Sequence, residues 1–232
     1  MPRSNYAHRL IEFPDLIFPD DQAFKHRAHW REYFAPRIGP AFTNELIFEI
    51  GCNDATFLST IAQKQPNTAF IGLDWKVKAI YDAATRVNDL ELKNVALLRA
   101  RAQDIANIFG TNELDEIWIF HPDPCDRDVE LKNRLISESF LLDAHRVLRD
   151  ENSRMCLKTD HEAYYEWTLK VIENPAIRRA FELIVSTPDF WRDESALEKT
   201  SQRIFAGATT TFEERFLSKK KPIYYIELRN RG

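Results

Sequence analysis

The chain has 232 residues, 44% of them apolar, which suits one globular domain and excludes fibrous, disordered and disulfide-stapled classes. Its formal net charge is -4, so the molecule as a whole does not attract phosphate, and a nucleic-acid surface needs local clustering of its Lys and Arg. The six glycines allow neither a Walker phosphate loop nor a three-glycine dinucleotide fingerprint.

In chain order, residues 1–44 are rich in Pro, Phe and charge and read as an N-terminal arm, with a short helix over 20–34 and breakers at Pro36 and Pro40. The stretch MPRSNYAHRL has no apolar core of signal-peptide length, and no run approaches a membrane span. From residue 45 a second unit runs to 232. Short apolar runs at 46–50, 69–74, 95–99, 116–121 and 154–159 predict buried strands. Between them, helical spacing is present at 55–65, 77–87, 103–109 and 137–148. This alternation predicts right-handed crossovers and a mostly parallel sheet with helices on both faces. Helical stretches follow at 164–174 and around 192–203. The runs TTTFEERF and PIYYIELR, joined by a basic loop, predict an antiparallel C-terminal hairpin that brings the sheet to seven strands. Cys52, Cys125 and Cys156 are an odd set without a CxxC pair, which disfavours disulfides and zinc and fits a reducing cytoplasm.

In an open α/β sheet the ligand crevice lies beyond the carboxyl ends of the strands. The first strand leads into Glu49-Ile50-Gly51-Cys52-Asn53-Asp54-Ala55. Gly51 allows close backbone approach, and Asn53 or Asp54 tolerates left-handed dihedrals or caps the helix. Asp74 ends the second strand, where a carboxylate can accept hydrogen bonds from ribose hydroxyls; a helix cap is the competing role. In His121-Pro122-Asp123-Pro124 two prolines stiffen the backbone around Asp123, and a tight turn with a capping Asp is the alternative. Asp160 supplies a second carboxylate at the same edge. Two such acids suit a substrate edge that donates hydrogen bonds, such as N1-H and the 2-amino group of guanine.

These residues resemble the tRNA (guanine-N(7)-)-methyltransferase family. The matching elements are FEIG at 48–51, FIGLD at 70–74, IFHPDP at 119–124, RLISESFLLDAHRVL at 134–148, LKTD at 157–160 and TTFEERFLSKKKPIYYIEL at 210–228. The resemblance implies a Rossmann-like class I methyltransferase using S-adenosylmethionine, with no metal, acting on N7 of guanine in tRNA at guanosine 46 of the variable loop. It implies Asp123 as the catalytic acid. Cofactor contacts fall to Glu49, Gly51, Asn53, Asp74, Arg101 and Asp123, and substrate contacts to Arg127, Asp160, Thr210 and Glu213. Departures from the family pattern are Asn53 and Ala55 in a loop that usually carries three glycines, Cys125 in place of tryptophan, Arg101 where Asp or Asn is common, and a basic run thinned to Arg127, Lys132 and Arg134.

The lysine loop 219–221 and the arm residues Lys25, Arg27 and Arg31 complete the candidate tRNA surface, with solvated solubility features as the alternative. Tyr164, Tyr165 and Trp167 could stack a base or belong to the core. Three readings follow: a cytoplasmic tRNA guanine-N7 methyltransferase with no membrane association; a diverged methyltransferase acting on a small molecule or another RNA; and a catalytically weak RNA-binding paralogue. Monomer and homodimer both stay open.

Overall fold

A computed structural model describes residues 6–232; Met1–Asn5, part of the stretch read for a signal peptide, lie outside the described residues. The strands are β1 (Ile17–Pro19), β2 (Leu46–Ile50), β3 (Ala69–Leu73), β4 (Val95–Arg99), β5 (Glu116–Phe120), β6 (Arg154–Thr159), β7 (Phe181–Thr187) and β8 (Tyr224–Asn230). The helices are α1 (Asp20–Lys25), α2 (Trp30–Ile38), α3 (Thr56–Lys64), α4 (Val77–Asp89), α5 (Ile105–Ile108), α6 (Glu138–Val147), α7 (Glu162–Ile172), α8 (Pro175–Ala180), α9 (Glu194–Thr200) and α10 (Thr211–Ser218).

The sheet runs β1-β4-β3-β2-β5-β6-β8-β7. Strands β1 to β6 pair in parallel, and β8 is antiparallel to both β6 and β7. The chain winds outward from β2 to β4, then returns past β2 to β5, so the switch in winding direction lies between β2 and β5. Every residue of β2 and β3 is buried, as continuous apolar runs covered on both faces demand. Alternate residues feed two cores. On one face Phe48, Ile71, Leu98, Ile119 and Leu157 pack with helices α2, α6 and α7. On the other, Ile47, Phe70, Leu97, Trp118 and Tyr225 pack with α3, α4 and α9.

Three details depart from expectation. Among the described residues the sheet has eight strands rather than seven, because Ile17–Pro19 from the N-terminal stretch adds to the edge beside β4. The single helix read over 20–34 is two, with Pro36 inside the second, and Trp30 and Phe34 are fully buried in the main core. The antiparallel C-terminal pair is present, but its first member is Phe181–Thr187. TTTFEERF forms α10 instead: Thr210 accepts from the Glu213 amide while the Glu213 side chain accepts from the Thr210 amide, a reciprocal cap that outweighs the strand preference of threonine and phenylalanine.

Gly72 in β3 leaves room for the turn after β2. A Cβ there would meet Leu58 Cδ2 at 2.8 Å and Cys52 Sγ at 2.9 Å, both on buried residues. Gly72→Ala is expected to lower stability by about 1–3 kcal/mol through overpacking. Urea unfolding would measure this, and a midpoint equal to wild type would contradict it.

Candidate active site

The carboxyl ends of β2 to β6 converge at one edge. At the end of β2, Glu49 is 4% exposed and its Oε2 has no partner. Burial first, and the nearby Asp54 carboxylate second, push its carboxyl up to about 8. The chain then turns sharply. Gly51 has φ +84° with open space where a Cβ would sit, and Asn53 and Ala55 have φ +49° and +54°. Asparagine tolerates this left-handed region, so Asn53 stands in for the missing glycine as its chemistry allows. Ala55, the other departure from the three-glycine loop, adopts the same left-handed region without asparagine's tolerance for it, at a cost in backbone strain. Asp54 points away into the scaffold: its Oδ1 accepts from the Thr56 amide and hydroxyl, and Arg86 pairs with it at 3.1 Å.

Asp74 is 8% exposed just past β3, and its Oδ1 accepts from the Lys76 amide at 2.8 Å. It therefore shapes the entry to α4 while lying at the crevice. Arg101 is exposed on the turn after β4. Asp123 is exposed beyond β5, and its Oδ1 accepts from the Cys125 amide at 3.2 Å. His121 (φ +53°) and Cys125 (φ +49°) bend the chain on either side of Asp123. Arg134, whose side chain is 6% exposed, donates from Nε to the Pro124 carbonyl and from a guanidinium nitrogen to the Ala163 carbonyl. It ties the Pro-Asp-Pro loop to α7 rather than facing an RNA.

On the far side, Asp160 pairs with Lys221 at 3.5 Å and faces His121 Nδ1 at 3.7 Å. Against the cost of burial, those two neighbours hold its carboxyl below the usual range. Thr210 and Glu213 do not present themselves to the crevice. Glu213 is 0% exposed; its Oε1 takes Lys158 Nζ at 2.9 Å and Trp191 Nε1 at 3.2 Å, and its Oε2 takes the Thr210 amide at 2.8 Å. Both oxygens are occupied by the scaffold, a role that a sequence separation of 55 residues hid. Thr210 is spent on the same cap.

The expected basic surface divides. Arg127, Lys132 and Lys219 to Lys221 are exposed, although Arg127 pairs with Glu130. Arg31 pairs with Asp115, which also accepts from the Leu46 amide where β2 begins, so Arg31 lies at the opposite end of the sheet. Arg27 is hydrogen-bonded to the carbonyls of Ala106 and Phe109. Tyr164 is fully buried in the core, Tyr165 is half-buried against it, and the half-buried Trp167 donates to the Ile136 carbonyl, so the cluster is tied into the scaffold and does not stand open as a stacking surface. Among the described residues no group of three or more His, Cys, Asp or Glu could hold a metal ion, and no helix is long and apolar enough to cross a membrane.

A sheet of this strand order, with an acid-bearing turn at its switch point and a further carboxylate beyond the neighbouring strand, is a Rossmann-like doubly wound sheet with its ligand crevice at these carboxyl ends. Residues 43–226 match a family model described as "Putative methyltransferase". A tRNA (guanine-N(7)-)-methyltransferase of Christiangramia forsetii is 30% identical over 237 residues, covering 99% of each chain. A bifunctional glycosyltransferase/methyltransferase of Fusobacterium nucleatum is 30% identical over 226 residues, 97% of this chain; the chain spans only 32% of that protein's length. The crystal structure of the antibiotic-resistance methyltransferase Kmr shares the fold, with a TM-score of 0.58 at 13% identity, covering 87% of this chain and 93% of that one. This chain belongs to the tRNA (guanine-N(7)-)-methyltransferase family.

Proposed function

We propose that this protein transfers a methyl group from S-adenosylmethionine to N7 of guanine in tRNA, in the cytoplasm, where its three free cysteines stay reduced. The observation that carries the reading is the placement of Asp123. It stands exposed beyond β5, the strand between β2, which ends in the Glu49 turn, and β6, which ends in Asp160. Donor and acceptor sites thus flank one carboxylate. The relatives that match over their full length carry this activity in their names.

The residues present fit the cofactor. Glu49 offers a buried carboxylate oxygen that no protein group uses, suited to a cationic methionine end. The open space at Gly51 and the left-handed turn at Asn53 let backbone approach a ligand closely; Asp74, just past β3, would accept from ribose hydroxyls, and Arg101, exposed on the turn after β4, would serve the adenine. When bound, the cofactor supplies an electrophilic methyl on a sulfonium. Guanine N7 carries a lone pair and no proton, so the protein needs no strong base. Its contribution is positioning and electrostatics: Asp123 orients guanine and offsets the positive charge the ring acquires, and Asp160 accepts from the far edge of the base. Arg127 and the lysine loop meet phosphates, while Thr210 and Glu213 hold α10 in place for the substrate.

Glu49 gives this reading a pH signature. In the free protein a carboxyl raised to about 8 contributes stability that is full below its unfolded value near 4.5 and is lost as pH rises through 8. A cationic ligand reverses the preference, since it needs the carboxylate. S-adenosylmethionine affinity is therefore expected to rise between about pH 5.5 and 7.5, by up to tenfold per unit, below the range where the ligand's own α-amino group titrates. Calorimetry across that range would measure it, and Glu49→Gln should flatten the profile; a flat wild-type profile would remove Glu49 from the site.

Labelled S-adenosylmethionine incubated with the protein and bulk tRNA, followed by digestion to nucleosides, tests the whole reading. Label in 7-methylguanosine is the expected result. Label in another nucleoside, or none in RNA, would overturn it.

A further inference from the structure

We propose that Phe212 is the stacking platform for the guanine base presented to Asp123. The inference rests on the tRNA reading above and adds to it a residue that contributes a ring face rather than a hydrogen bond.

Phe212 is 47% exposed, one of few large apolar side chains left open to solvent, and it sits in the first turn of α10. That turn is anchored with unusual firmness. The reciprocal Thr210–Glu213 cap closes it, and the fully buried Lys158–Glu213 ion pair and the Trp191 indole N-H fasten it to β6 and to the 190–192 turn. Behind Phe212, Phe216 lies at 6.4 Å with an interplanar angle of 25°, and His121 at 6.2 Å with an angle of 39°. Supported on these two rings, Phe212 keeps part of its surface in water. His121 is two residues before Asp123, so the ring that Phe212 packs against and the carboxylate share one short, proline-stiffened segment.

The surroundings indicate what the open ring receives. Lys221 lies 5.3 Å from the Phe216 ring and pairs with Asp160, and Lys219 and Lys220 are exposed beside it. The Phe212–Phe216 pair, with one ring open to water and a lysine against the other, suits an unpaired nucleotide, with the base on the open ring and its phosphate toward the cations. Asp160 at the same edge supplies an acceptor for the donors of guanine. A platform fixed before binding loses little conformational freedom when the base arrives.

Labelled tRNA binding, measured by fluorescence anisotropy without methyl donor, tests the assignment with Phe212→Ala, Phe212→Leu and Phe212→Tyr. Each is compared with wild type after thermal melts confirm folding. Loss of one base-aromatic stack is expected to weaken Phe212→Ala about tenfold or more, with Phe212→Leu nearly as weak and Phe212→Tyr within about twofold of wild type. Leucine keeps the apolar bulk without the π face, so full affinity in Phe212→Leu would overturn stacking in favour of packing. Equal affinity of Phe212→Ala and wild type would overturn the platform while leaving the tRNA reading intact. A wild-type protein that does not bind tRNA would overturn both.

Discussion

Asp123→Ala is expected to lower the rate of methyl transfer to tRNA by about 10²–10³, the usual effect of removing one pre-aimed electrostatic contact from a reacting centre. The expectation depends on what Asp123 does not do. It is exposed and makes one hydrogen bond, to the Cys125 amide, so the fold should change by no more than about 0.5 kcal/mol. The buried Glu49 and Asp74 are positioned independently of it, so S-adenosylmethionine affinity should stay within a few-fold of wild type. The loss should therefore appear in single-turnover rate at saturating cofactor. Asp123→Asn separates charge from shape: if the carboxylate offsets the charge developing on guanine, the amide should recover little. A retained rate in Asp123→Ala would remove Asp123 from the chemistry.

The central sheet was legible because buried parallel strands must be apolar throughout: Leu46–Ile50, Val95–Arg99 and Arg154–Thr159 coincide with their runs in the sequence. The edges were not. Ile17–Pro19 is three residues long and ends in proline, too short to show a period. Phe181–Thr187 carries a mixed burial pattern with an irregularity between Leu183 and Val185, which breaks the alternation that marks a strand. The same division holds for the site. The positions of the candidate acids at the carboxyl ends of strands could be read from spacing: Glu49 near the end of β2, and Asp74, Asp123 and Asp160 beyond β3, β5 and β6. Glu213 and Arg134 could not, because each is defined by partners distant in sequence, Lys158 in one case and the carbonyls of Pro124 and Ala163 in the other. A charged residue in a motif reads as a ligand contact until its burial is known.

The Lys158–Glu213 pair predicts the largest effect on stability. Lys158 is 0% exposed, with its ammonium between 5.0 and 5.4 Å from the ring centres of Phe120, Phe190, Trp191 and Phe205. Burial pushes its pKa down, and Glu213 pulls it back up. Such a pair adds little over an apolar replacement of both partners, but breaking it leaves a charge with no solvent and no counterion. Lys158→Met is expected to cost about 3–5 kcal/mol, a large share of the 5–15 kcal/mol of a typical domain, and to lower the melting temperature by roughly 10 °C. Glu213→Gln should cost less, because the four rings still attract the ammonium and the amide oxygen can still accept from Trp191 or Thr210. Combining the two should restore part of the loss, with a coupling of about 1–3 kcal/mol in a double-mutant cycle followed by urea unfolding. Additive losses would mean that the charges do not depend on each other. Since α10 carries Phe212 to the crevice, Lys158→Met should also weaken tRNA binding at temperatures where the protein is still folded; unchanged binding there would show that α10 holds its position by its cap alone.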